Sequence, residues 1–413
     1  MEYAKLGHSG IEVSRICIGG MSFGEPDVAN HEWTIGPEET EAVIKHAFEN
    51  GINYIDSANC YAHGTSEQYI GRALKKLGIP RDEVVLQSKV FFNEGGLSKE
   101  AINREIEGTL SRFDTDYLDV YMIHRFDYNT PIEETMEALD GLVRAGKVRA
   151  IGASEMFAYQ LHNMQDVAER NGWEKFTNMQ CHHNLLYREN EREMIPVCRQ
   201  FDMALTPYSP LASGHLTRRA WDADSLRSKT DLTMADKYDR ARSLDTPIIE
   251  RVAKLAERRG VPMAQIAIAW HLNKGVESPT LGFSKPSRVD DALAAVDIEL
   301  SREELGYLEE PYAAHELVGP LPARARSLSR ARSAPRRKRT SILVSRRDLL
   351  KMGCVSASSL HTPPNSASLG SKLRFLEPVR LFFMGSAIAG QVASNIVLSE
   401  YAFLARALVP GKR

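Results

Sequence analysis

The sequence predicts a (β/α)8 TIM barrel, α/β in class, with a β-hairpin in front of it and a basic, disordered extension behind it. Short apolar runs alternate with amphipathic helical segments eight times within about 300 residues. The runs are mostly apolar throughout rather than at every second residue, as strands buried on both faces must be. No G-x-G-x-x-G follows the first run, which counts against a doubly wound dinucleotide fold. Strands alternating with helices imply a parallel sheet, and eight such units favour the closed barrel.

Residues 2–14 read as the hairpin, with YAKL and IEVS flanking the turn cluster GHSG. RICIGG (15–20) is the first barrel strand. GPEETEAVIKHAFENG (36–51) is a helix, with Pro and acids in its first turn and Gly past its end. INYIDSA (52–58), EVVLQSKV (83–90), YLDVYMIH (117–124) and VRAIGAS (148–154) are the next four strands, each followed by a helix. FTNMQC (176–181) is the sixth, and its helix is expected over 188–201. MALTPYS (203–209) is the seventh. A long insertion follows it, then helices at 246–259 and 263–273. ESPTLGF (277–283) is the eighth, and SRVDDALAAVD (287–297) its helix.

In such a barrel the site is built where strands run into the following loops. The polar residues there are Asp56, Lys89, His124, Ser154, Glu155, Gln180, Tyr208 and Ser209, with Tyr61 just past the second strand. Asp56, Tyr61, Lys89 and His124 make chemical sense together. An ammonium beside a phenol favours the phenolate, and Asp56 can hold Lys89 charged. Tyr61 is then expected to be tuned from its usual pKa near ~10 toward a usable general acid. His124 can orient a substrate oxygen. A proton donor of this kind suits carbonyl reduction, with the hydride supplied by a cofactor because no side chain carries one.

The segments GINYIDSANCYAHGTSE, LQSKV, YLDVYMIH, GKVRAIGAS, MQCHHNLLYRENEREMIP, YSPLASGHLT and GFSKPSRVDDAL resemble the aldo-keto reductases, over residues 1 to about 320. The last three are most similar to the branch holding the aryl-alcohol dehydrogenases. The resemblance implies NADPH-dependent reduction of small aldehydes or ketones, with Asp56, Tyr61, Lys89 and His124 as the catalytic tetrad. For NADP(H) it implies Ser154 and Gln180 on the carboxamide and Tyr208 stacked on the nicotinamide. Backbone N–H groups of Ser209, Leu211, Gly214 and Leu216 would wrap the pyrophosphate. Lys285 and Arg288 would take the 2′-phosphate, with Ser284 also on the cofactor and Asp291 near the adenosine. Three positions depart from the pattern: Glu155 where Asn is usual, Ala292 where Asn is common, and Ala62 where Gly follows the tyrosine. Trp33, Phe91 and Phe92 are candidates for the pocket wall. Some barrels of this family are cofactor-sensing regulatory subunits of ion channels, and a complete tetrad leaves that alternative open.

A formal net charge of −2 points to no nucleic-acid partner. It averages two unlike parts, since residues from 321 on hold 17 Lys+Arg against 3 Asp+Glu, leaving 35 against 51 before them. That shift marks a domain boundary near 320 and a disordered, Arg-rich segment (LPARARSLSRARSAPRRKRT) beyond it. SRRDLLKMG resembles a twin-arginine export signal, expected to be inert away from an N-terminus. LFFMGSAIAGQVASNIVL carries no charge but includes Gln391 and Asn395, which makes it marginal as a membrane span. The extension is expected to be a frameshift, read-through or fusion product rather than a membrane tether. Five cysteines, Cys17, Cys60, Cys181, Cys198 and Cys354, show no C-x-x-C pair. This implies neither zinc nor a disulfide framework, and a reducing, cytoplasmic location. His182 and His183 lack ligand-spaced partners, and no metal is expected. The oligomeric state is left open.

Overall fold

The computed structural model describes residues 1–26, 31–231, 234 and 237–318. The expected extension over 321–413 lies outside the described residues, as do its export-like and uncharged stretches. Among the described residues no helix is long and apolar enough to cross a membrane.

The hairpin pairs β1 (Tyr3–Lys5) with β2 (Glu12–Ser14), antiparallel, Tyr3 opposite Ser14. Leu6, Ile11 and Val13 turn inward and are buried with Cys17, Tyr54, Val85, Val120, Met122, Ala150 and Ala204. Several of these are the first residues of barrel strands, so the hairpin plugs the barrel at the strands' N-terminal end. The plug is pinned where the His8 N–H donates to the Asp202 carbonyl at 3.1 Å. Gly7 permits the approach. Its φ is +55°, and a Cβ there would lie 2.2 Å from the Thr177 carbonyl oxygen, so no other residue fits.

The barrel strands are β3 (Cys17–Gly19), β4 (Tyr54–Asp56), β5 (Val85–Val90), β6 (Leu118–Ile123), β7 (Val148–Ser154), β8 (Phe176–Gln180), β9 (Ala204–Leu205) and β10 (Thr280–Leu281). Each pairs in parallel with its neighbours, β10 joining β3. The seam between β9 and β10 is closed by the Ser278 N–H to the Leu205 carbonyl at 3.3 Å and the Thr280 N–H to the Pro207 carbonyl at 2.9 Å. Both seam strands are shorter than their apolar runs suggest, because Pro207 and Pro279 have no N–H to give to a ladder. All six residues of β5 and of β6 are buried, which explains the missing polar alternation. It also makes Gln87, Ser88 and Lys89 stand out as three polar residues in a strand that water does not reach.

The helices are α1 (Pro37–Glu49), α2 (Thr65–Leu77), α3 (Lys99–Phe113), α4 (Ile132–Arg144), α5 (Ala158–Asn171), α6 (Met194–Gln200), α7 (Leu226–Thr230), α8 (Arg242–Arg259), α9 (Met263–Asn273), α10 (Pro286–Val296) and α11 (Arg302–Glu309). The helix expected over 188–201 is only α6 preceded by one tight turn. Pro196 is tolerated within a helix's first turn, and α6 starts just before it. The helix α11 was not expected, although its capping box was legible. The Ser301 hydroxyl accepts from the Glu304 N–H at 3.2 Å, and the Glu304 carboxylate accepts from the Ser301 N–H at 2.8 Å.

Four buried histidines set the acid limit of this fold. Burial, reinforced by neighbouring positive groups, pushes His182 and His271 well down, His183 to about 3 and His215 to about 4. The unfolded chain takes up these protons near ~6.5. Their contribution is therefore complete above that pH and is lost as pH falls from there toward the folded values. The Tm should drop steadily on acidification from pH ~6.5 to ~4. A constant Tm over that window would contradict the assignment.

Candidate active site

The strand ends bring the predicted polar residues to one rim. The register sets Asp56 beside Gln87 and Lys89 beside Met122, and His124 directly follows β6. Lys89 Nζ donates to Asp56 Oδ1 at 2.6 Å and Oδ2 at 2.7 Å, to the Ser57 carbonyl at 2.8 Å and to the Tyr61 hydroxyl at 3.2 Å. Asp56 and Lys89 are buried, while Tyr61 and His124 are partly exposed. The ion pair thus lies in the barrel and the phenol and imidazole face its mouth. The Tyr61 and His124 rings meet edge-on, centroids 5.7 Å apart.

Tyr61 begins a kinked turn in which Ala62 and His63 have φ of +46° and +52°. A glycine would adopt this at no steric cost. Ala62 is accommodated because residue 24 is itself glycine, where a Cβ would sit 2.4 Å from that of Ala62.

The electrostatics correct one expectation. Burial raises the Tyr61 phenol above its ordinary range, and Lys89 only partly offsets this. The charge of Lys89 is shared with Asp56, which opposes it. Burial alone would lower the Lys89 ammonium, but Asp56 and Tyr61 together hold it above its usual value. His124 is pushed well down by burial, then by Lys89 and Arg125, and is neutral. Tyr61 is therefore a fully protonated donor near neutrality, with a fixed cation behind it. Cys60 Sγ lies 3.8 Å from His124 Nδ1, and Phe92 meets the other imidazole contact edge-on at 5.0 Å. Of the three wall candidates, Phe92 reaches His124. Phe91 packs behind Phe92 at 5.1 Å, and Trp33 lies under the Arg227 guanidinium at 4.1 Å.

The expected cofactor residues lie on the following strands and loops. The Ser154 hydroxyl donates to the Gln180 carbonyl at 2.7 Å, and Gln180 Nε2 reaches Thr280 Oγ1 at 3.4 Å. Tyr208 stacks on His182, centroids 5.3 Å apart. Lys237, from the long insertion, lies over the Tyr208 ring at 4.4 Å with Nζ 3.4 Å from its hydroxyl. Sequence reasoning missed this lysine, since its distance along the chain carries no signal of the contact. Glu155 has φ +37°, a conformation asparagine tolerates better. Its Oε1 accepts from the His182 N–H at 3.2 Å. Burial raises its carboxyl, with Lys237 opposing.

After β9, Leu211 is right-handed and Ala212, Ser213 and Gly214 are left-handed, a sequence that cups backbone N–H groups. Two of the four expected donors are already engaged: Gly214 and Leu216 both donate to the Leu211 carbonyl, at 2.8 and 3.3 Å. Ser209, at φ +58°, and Leu211 precede that turn. Ser284, Lys285 and Arg288 are exposed at the start of α10, and Arg288 Nη1 lies 3.7 Å from Asp291. Ala292 is a buried packing residue. His182 is sandwiched between Tyr187 and Tyr208 and bonded to the Tyr238 hydroxyl at 2.8 Å. Among the described residues no group of three or more His, Cys, Asp or Glu could hold a metal ion.

Residues 15–313 match the sequence model of the Aldo/keto reductase family. The chain is 43% identical over 337 residues to versiconal hemiacetal acetate reductase of Aspergillus parasiticus, covering 76% of this chain and 97% of the relative. A Schizosaccharomyces pombe relative named for the aryl-alcohol dehydrogenases is 42% identical over 350 residues, covering 77% and 97%. The aldo-keto reductase dtxS3 of Metarhizium robertsii is 41% identical over 352 residues, covering 77% and 93%.

Proposed function

The chain belongs to the aldo/keto reductase family, and on that premise, with relatives named as reductases, we propose an NADPH-dependent reductase of aldehydes or ketones with Tyr61 as general acid. The observation that carries it is the Lys89 ammonium, locked on Asp56 and 3.2 Å from the hydroxyl of a part-exposed Tyr61. NADPH supplies a hydride to the carbonyl carbon when bound. Tyr61 gives its proton to the carbonyl oxygen as negative charge develops there. Lys89 stabilises the phenolate left behind, and Asp56 keeps Lys89 charged and aimed. Neutral His124 hydrogen-bonds the same oxygen and fixes its approach, with Phe92 as the wall beside it.

The residues present suit this cofactor. The Tyr208 ring suits stacking once the Lys237 ammonium is displaced from it, and the turn over 209–214 suits a pyrophosphate through the N–H groups of Ser209 and Leu211, since Gly214 already donates to the Leu211 carbonyl. The first turn of α10 with Lys285 and Arg288 suits a phosphate, by helix dipole and by charge. Reduction of an aromatic aldehyde should consume NADPH faster than NADH. Arg288→Ala should shrink that preference by about tenfold or more, the worth of a charge-assisted hydrogen bond. An unchanged NADPH-to-NADH ratio of kcat/KM would remove Arg288 from the phosphate site. No NADPH consumption over a panel of aldehydes and ketones would sink the enzyme reading in favour of a cofactor-sensing subunit.

We place the catalytic unit in residues 1–320, in the cytoplasm. Tyr312 and His315 tie the last described segment back to the barrel, at 2.9 Å to Glu189 and 2.7 Å to Asp245. A chain ending at residue 320 should keep the full-length kcat.

A further inference from the structure

The geometry points to Gln87 as a positioning residue that holds Asp56 in place for Lys89, and so governs Tyr61 from inside the barrel. It rests on the reading of Tyr61 as proton donor. Gln87 stands two residues before Lys89 on β5, so both side chains point to the same face. Gln87 is fully buried. Its Nε2 donates to Asp56 Oδ1 at 2.6 Å, the same oxygen that receives Lys89 at 2.6 Å.

The orientation of the Gln87 amide is fixed from behind. Its Oε1 accepts from the Tyr54 hydroxyl at 2.5 Å and from Asn178 Nδ2 at 3.0 Å. Two donors on the oxygen oblige the NH2 to face Asp56. Asn178 Nδ2 is in turn held by Thr206 Oγ1 at 3.2 Å. Tyr54, Gln87, Asn178 and Thr206 are all 0% exposed. Gly152, beside Asn178 in register, makes room for it, since a Cβ there would lie 2.4 Å from Asn178 Oδ1. Apolar side chains would fill a barrel core without such demands, and this network is paired throughout except at Asn178 Oδ1, which is buried without a hydrogen-bond partner among the described residues. It leads from β8 and β9, through Gln87, to the carboxylate that anchors the ion pair.

Two variants test the role. Gln87→Met removes the donor to Asp56 and should lower kcat by about tenfold to a hundredfold, as loss of positioning does. The KM for NADPH and for the aldehyde should stay near wild type, because Gln87 touches neither. Gln87→Glu is the sharper test. When protonated, the new carboxyl offers the same acceptor to Tyr54 and Asn178 and the same donor to Asp56. When ionised, it sets a second negative charge against Asp56. The kcat of this variant should approach wild type at the acid end of the stable range and fall as pH rises through the new ionisation. Wild-type kcat should not fall over that range.

A Gln87→Glu profile parallel to wild type, or wild-type kcat in Gln87→Met, would overturn the inference and leave the reductase reading standing. Should Gln87→Met fail to fold, the Gln87→Glu profile decides alone. If neither folds, Gln87 is a packing residue and the inference fails. No turnover in the wild-type chain would overturn the functional reading, and this inference with it.

Discussion

Tyr61→Phe should lower kcat by about a hundredfold to ten-thousandfold, the range general acid catalysis contributes, while the barrel and its cofactor affinity stay intact. Among the described residues the hydroxyl removed makes one hydrogen bond, the 3.2 Å bond from Lys89. Lys89 keeps both Asp56 oxygens and the Ser57 carbonyl, so no buried charge is orphaned. The ring still packs edge-on to His124. Loss of rate with unchanged Tm and unchanged NADPH quenching of protein fluorescence is the expected signature. Equal turnover in both proteins would end the case for Tyr61 as acid. In the wild type, because the phenol sits above its ordinary range, kcat/KM should hold through neutral pH. It should fall only as alkaline pH strips the proton.

Lys89→Met should cost both stability and activity, and the two losses are separable. The substitution leaves the Asp56 carboxylate buried with its counter-charge gone. Breaking a buried pair in this way costs about 3–5 kcal/mol, a large part of a typical fold's stability of ~5–15 kcal/mol. Adding Asp56→Asn removes the stranded charge while keeping the acceptor for the Gln87 amide. Replacing both members of a buried pair is often nearly neutral. The double variant should therefore regain most of the lost Tm and none of the lost kcat. A double variant that regained activity, or a single variant as stable as wild type, would contradict the arrangement.

The order of strands and the meeting of Asp56, Tyr61, Lys89 and His124 at one rim were legible because each rests on a strong local signal. Both-face burial writes itself as an apolar run, and the site residues fall at the ends of those runs. What the chain concealed has physical reasons. Pro207 and Pro279 cut the seam strands short, and an apolar run does not reveal which of its amides can donate. Pro196 confines a helix in the same way. Tyr61 was expected to be acidified by Lys89, because a sequence names the cation but not the depth of burial that outweighs it. Lys237 comes to Tyr208 from the insertion, a contact only the fold creates. Gln87 was in view within LQSKV, and a glutamine inside a fully buried strand is itself a signal.

The hairpin plug has a consequence in time. His8 and the Asp202 carbonyl that pins its turn are 194 residues apart, and the first barrel strand pairs with the last. Emerging at roughly 5–20 residues per second, the plug waits on the order of ten to forty seconds for its socket to be made. During that wait Leu6, Ile11 and Val13 have no partner from β9, and such long-range closure is slow in itself. The hairpin, made well before its socket, is thus among the last parts to be secured, and a nascent chain that has not yet reached Asp202 is the form most in need of a chaperone.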